Sequence, residues 1–162
     1  MTRIDRKLRE IRKWTKLIGA SAVVFAVVLG ATVSSRAQQP PADTTKVSSG
    51  VYTEEQAKRG EAVSSKMCVS CHGPDLSGGE AGPSLVGLEF LGNWNALSLA
   101  DFFDRVHATM PADAPGSMTP QQTTDVMAYV LKLNKFPAGQ TELPTDVAML
   151  KKITIEGQPP AK

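Results

Sequence analysis

Aromatic side chains are scarce in this chain of 162 residues, at 6%, so its core must draw bulk from Leu, Val and Met or from a group that is not protein. Cysteine is scarcer still. Only Cys68 and Cys71 are present, with two histidines, His72 and His107, so a zinc site closed by four Cys or His ligands would have to draw in every one of them, including the distant His107, and is disfavoured. Positive charge is missing from the body: residues 38–162 hold 10 basic against 14 acidic side chains, net −4. Nucleic acid is therefore excluded as a partner, since its binding draws on clustered Lys and Arg. There is no internal repeat, and no alternating run demands a sheet. The length suits one modest domain with short additions.

The basic residues crowd the start instead. Arg3, Arg6, Lys7, Arg9, Arg12, Lys13 and Lys16 precede an apolar run from Leu17 to Val33, which ends in Ser34-Ser35-Arg36-Ala37. Small residues at Ser35 and Ala37 suit a signal peptidase, so residues 1–37 read as an export signal. The other reading is an uncleaved membrane anchor, because 17 apolar residues reach the lower limit for a spanning helix. Both readings put the rest of the chain outside the cytoplasm, in the periplasm or at the outer face of the inner membrane.

Residues 38–51 hold Pro, Ser and Thr with little that is apolar, and are expected to be a flexible linker. Residues 52–139 are expected to fold as the domain, and 140–162 to pack along it as a C-terminal extension. Three segments carry helix signals. Thr53 and Gln56 form a capping box for a helix running toward Met67. Ser98 caps a stripe of Leu99, Phe102, Phe103 and Val106 that ends near Thr109. Thr119-Pro120-Gln121-Gln122 opens a third, with Val126, Tyr129, Val130 and Leu133 on one face. The glycine-rich stretch between the first two helices is too long for an ordinary connection and is expected to wrap something.

The chemistry sits at Cys68-Val69-Ser70-Cys71-His72, the C-x-x-C-H pattern of covalent haem attachment. Two thiols three residues apart on one turn can each add to one haem vinyl group, while the next residue presents its imidazole to the iron. A thioredoxin-like redox pair needs a βαβ context, and these flanks are helical. A structural disulfide is chemically possible, yet a loop this short would stabilise little and His72 would be coincidental.

A haem iron held by His72 asks for a sixth ligand, and a Met thioether suits electron transfer because it raises the potential. Met67 lies on the wrong side, Met127 inside a helix and Met149 far along the tail. Met110, in irregular backbone before Pro111, is favoured over Met118, which suits packing beside the Thr119 cap. His107 would give bis-histidine ligation, but a half-exposed histidine near a helix C-terminus is the commoner case.

Taken in order, Ala57 and Gly60, Cys68 to Gly73, Ala81-Gly82-Pro83-Ser84-Leu85, Thr109-Met110-Pro111 and Asp125 to Leu131 resemble the class I cytochromes c over roughly residues 52–139. The resemblance implies an all-α fold of three main helices around one covalently attached haem c, with the first and last helices crossing near Gly60 and Tyr129. It implies that the Pro83 carbonyl accepts a hydrogen bond from His72. Leu85, Leu88, Phe90 and Val106 would line the haem. Trp94 resembles the family's polar-tipped aromatic near the propionates and reads equally well as a core indole. The cofactor contacts expected are Cys68, Cys71, His72, Pro83, Leu85, Trp94 and Met110, with His72 and Met110 on the metal.

The expected function is electron transfer, without catalysis, between redox partners such as a periplasmic dehydrogenase or a respiratory complex. The membrane enters only through an uncleaved leader. The alternatives are a peroxidase-like haem enzyme and a haem-based sensor, each needing a labile sixth ligand.

Overall fold

The computed structural model describes residues 44–156, so the expected export signal of residues 1–37 lies outside it. Six α-helices and one two-stranded parallel pair make up these residues: β1 (Thr45–Lys46), α1 (Glu54–Met67), α2 (Val69–His72), α3 (Gly87–Trp94), α4 (Leu99–Thr109), α5 (Pro120–Leu133), α6 (Val147–Leu150) and β2 (Ile153–Thr154). The fold is all-α in class. No helix among the described residues is long and apolar enough to cross a membrane.

Helix α1 starts because the Thr53 hydroxyl accepts from the Gln56 amide at 3.1 Å, and Glu54 and Glu55 favour the helix N-terminus. It crosses α5 at Gly60, where a β-carbon would collide with the Asp125 carbonyl and press on the Tyr129 side chain. Only glycine allows that approach. Arg59 locks the crossing by pairing with Asp125, at 2.9 Å, and with Glu142. Helix α5 has the full capping box between Thr119 and Gln122 and buries Val126, Met127, Val130 and Leu131 in the core.

Two expectations are corrected here. The capping box at Thr53 is only half made, because Gln56 is fully buried and spends its amide elsewhere: it donates to the Leu143 carbonyl at 3.1 Å and accepts from the Leu143 N–H at 2.7 Å. A buried amide with both halves satisfied is worth more than a reciprocal cap in solvent. The glycine-rich stretch is also not all loop. Helix α3 forms within it, because Phe90 and Leu91 are buried and Phe90 packs edge-on against Phe102 at 5.5 Å. Tertiary burial overrides the poor helix propensity of Gly87 and Gly92.

The linker reading also fails over its last part. Residues 44–51 are packed: Thr45 and Lys46 pair with Ile153 and Thr154, Val47 is fully buried, and the Ser48 hydroxyl donates to Glu156 at 2.8 Å. One apolar residue among polar neighbours suffices when the C-terminal segment supplies Leu150 and Ile155, both fully buried, beside it.

Tyr52 fastens the end of α5. Its hydroxyl donates to the Phe136 carbonyl at 2.7 Å, and burial, with Glu54 adding, pushes the phenol up to about 12. The unfolded chain gives up this proton near pH 10 while the folded chain keeps it, so stability is full below pH 10 and is lost as pH rises toward 12. The loss should be on the order of 2 kcal/mol in denaturant titrations at pH 9 and pH 11.5. Tyr52→Phe should flatten that difference.

Candidate cofactor site

Helix α2 is a single turn, and it exists to place three side chains. The Cys68 N–H continues the α1 ladder to the Ser64 carbonyl at 2.9 Å, and the His72 N–H bonds the Cys68 carbonyl at 3.0 Å. Gly73, at φ 83°, then turns the chain away. The loop that follows is stitched back by Gly78 N–H to the His72 carbonyl at 2.8 Å and Leu85 N–H to the Leu76 carbonyl at 2.8 Å. Leu76 is fully buried and anchors the loop, and Asn134 holds its far end by donating to the Leu85 carbonyl and accepting from the Gly87 N–H.

His72 is buried, and its Nδ1 lies 2.7 Å from the Pro83 carbonyl oxygen. A carbonyl can only accept, so Nδ1 carries a proton and donates it to Pro83. This fixes the ring orientation and leaves Nε2 as the nitrogen that can serve as a ligand.

His72 opens onto a cavity of about 510 Å³, within the usual range for a small-molecule site. Its wall brings together Cys68, Cys71, His72, Pro83, Leu85, Trp94 and Met110, all singled out in the sequence, and also Met118 and Val106. Leu88 and Phe90 are not in that wall, against expectation. Leu88 is the second residue of α3 and is 88% exposed, while Phe90 is buried between Trp94 and Phe102. Trp94 lines the cavity and packs on Phe102 at 4.7 Å. His107 is outside the wall: its Nδ1 lies 3.1 Å from the Thr123 hydroxyl and its ring stacks on Phe103.

The wall fits a large apolar group bonded at sulfur. Both cysteines are free thiols, and among the described residues no three His, Cys, Asp or Glu converge tightly enough to hold a bare ion. Burial pushes the Cys68 thiol up, opposed by the adjacent Ser64 hydroxyl. That hydroxyl is itself buried without an oxygen or nitrogen partner, a costly arrangement unless the sulfur beside it matters. Sequence reasoning missed Ser64, Asn93 and Arg105, the last two in the cavity wall. Arg105 directly precedes Val106, so a cation at the edge of the apolar stripe was the available signal.

A helical shell around a cavity that carries C-x-x-C-H on one wall is the architecture of a c-type cytochrome domain. The family model described as "Cytochrome C oxidase, cbb3-type, subunit III" matches residues 55–130. No curated protein matches the chain. It is similar to a chain in the crystal structure of the sulfane dehydrogenase SoxCD from Paracoccus pantotrophus, 22% identical with a TM-score of 0.42, over 56% of this chain and 54% of that one. Over residues 55–130, a little under half of its length, the chain is similar to c-type cytochromes. That similarity points to haem c and to electron transfer.

Gly82 holds the ligand in place by what it lacks. A β-carbon there would sit 2.9 Å from His72 Nδ1 and 3.1 Å from the Cys71 carbonyl. Gly82→Ala should therefore displace the imidazole and break its bond to Pro83, costing about 1–3 kcal/mol. In NMR spectra the His72 Nδ1–H signal should shift and exchange faster with water. Gly92→Ala, where a β-carbon meets only open space, should leave it unchanged.

Proposed function

We propose that this chain is an electron carrier that would hold one haem c through thioether bonds to Cys68 and Cys71, with His72 and Met110 as the residues that would ligate the iron. The observation that carries this reading is the joint placement of both thiols, the Nε2-free His72 and Met110 around one cavity. Haem c, when bound, supplies one-electron iron chemistry at a potential set by its ligands and surroundings.

The chain's own residues make that chemistry selective. Pro83 fixes the orientation of the His72 ring. Met110 caps the C-terminus of α4 in extended backbone and is half-buried, so its side chain can close the second face without disturbing a helix. Met118 also lines the cavity, but it is 2% exposed and packed in the core beside the Thr119 cap, where moving its sulfur would cost packing. His107 is occupied by Thr123 and supplies no distal acid or base, which favours a carrier over a peroxidase-like enzyme.

The basic start and apolar run favour export, with the body outside the cytoplasm. The acidic body, made more so by propionates, suits transient docking on a basic patch of a dehydrogenase or a respiratory complex.

Protein made in a host that matures c-type haem should keep its red colour on the polypeptide after denaturation and extraction with acidified acetone. Colour passing into the solvent sinks covalent attachment. A closed iron should also show a six-coordinate low-spin spectrum and take up no carbon monoxide when reduced; rapid gas binding favours the enzymatic or sensor reading.

The sixth ligand is tested separately. Met110→Ala should abolish the weak Met-to-iron charge-transfer band of the oxidised protein, and Met118→Ala should preserve it. The opposite pattern moves the assignment to Met118.

A further inference from the structure

Among the described residues one buried side-chain hydroxyl has no oxygen or nitrogen to bond, that of Ser64. Ser64 is 1% exposed and sits one turn beyond Gly60, on the face of α1 that crosses α5. A hydroxyl inside a helix usually turns back to a carbonyl of the preceding turn. Its neighbour Ser65 does so with the Ala62 carbonyl at 3.0 Å, and Thr109, Thr123 and Thr124 do the same with Arg105, Thr119 and Gln121. Ser64 does not. One turn further on stands Cys68, whose N–H bonds the Ser64 carbonyl at 2.9 Å, and residues four apart share a helix face. The hydroxyl therefore lies against the Cys68 sulfur from the core side, while Cys68 itself lines the cavity.

A serine here works against stability. Alanine is the better helix former and would bury no polar group. What the hydroxyl adds is a donor beside sulfur. Burial disfavours the Cys68 thiolate, and the hydroxyl acts against that effect. The second cysteine supplies the contrast. Ser70 Oγ lies 3.9 Å from the Cys71 sulfur, but Ser70 is exposed, so water can take its place. A donor in the core has no such substitute.

We propose that Ser64 is the hydrogen-bond donor that readies the Cys68 sulfur for its bond to haem, so that the two thioethers form by unequal means, Cys68 with a donor from the core and Cys71 with solvent. This rests on the haem reading above. In the step concerned, the Cys68 sulfur bonds the inner carbon of a vinyl group and the double bond becomes single. The proton lost from the thiol is matched by one taken up at the outer carbon, and no electron is gained or lost. Thiolate is the reactive form of cysteine, and Ser64 favours it by sharing the negative charge on sulfur. Ser64 touches the reacting sulfur and exchanges no proton with it.

The test uses the full chain, haem-free and with both thiols reduced. It is alkylated with iodoacetamide over a range of pH, and modification of each cysteine is read from peptide masses. In Ser64→Ala the Cys68 profile should move to higher pH and the Cys71 profile should stay. Ser65→Ala and Ser70→Ala should move neither. Thermal unfolding should find Ser64→Ala no less stable than the wild type, which separates the effect from lost packing. Mixed with ferrous haem without oxygen, Ser64→Ala should give a larger share of chains joined through Cys71 alone.

A Cys68 profile that is the same in the wild type and Ser64→Ala, or that moves together with the Cys71 profile, overturns the proposal and leaves Ser64 as an unpaired core serine. An equal share of singly joined chains, from a wild type that does take up haem, overturns it as well. Failure of the haem reading looks different: the alkylation profiles still separate, and the wild type gains no covalent colour.

Discussion

One hydrogen bond governs the rest of this structure: the imidazole N–H of His72 donating to the Pro83 carbonyl, 2.7 Å away. It fixes the tautomer, and with it which nitrogen faces the cavity. To make the bond, the chain must double back within eleven residues of His72, and much of the loop's sequence answers that demand. Gly73 and Gly78 take positive φ so that the turn can close. Gly82 is small because the ring lies against it. Leu76 pins the loop to the core, and Asn134 reaches across from the end of α5 to hold its far end. Ligand geometry is thus set by backbone packed against two helices, which is stiffer than a side chain could provide.

The parts legible in the sequence were those with local causes. Three helices announce themselves through caps and stripes at Thr53, Ser98 and Thr119, and each begins where its cap stands. The C-x-x-C-H turn is legible because its chemistry demands that spacing. Placement of Leu85 and Trp94 at the cavity was legible only through likeness to a family, since no local rule marks them, whereas the irregular backbone before Pro111 marked Met110.

What escaped reading depends on distant partners. Helix α3 is poor by propensity and exists because Phe90 finds Phe102. Gln56 looks like half of a capping box until Leu143, 87 residues later, offers it a complete pair of hydrogen bonds. Residues 44–51 look like linker because their single anchor, Val47, needs a segment a hundred residues away to bury it. Arg105 escaped for another reason. A lone cation beside an apolar stripe ordinarily reads as solvated surface, and only the cavity beside it gives it meaning.

The pairing of β1 with β2, and of Ser48 with Glu156, joins positions 108 residues apart. These are among the most sequence-distant contacts in the molecule, and none can form until the chain through Glu156 has been made. The Cys68–His72 turn is made some eighty residues earlier. Loop-closure entropy delays such long-range contacts further. The order of synthesis therefore leaves an interval in which the two thiols are present and the shell around them is still unsealed. Any enzyme that must reach those sulfurs has that interval in which to work.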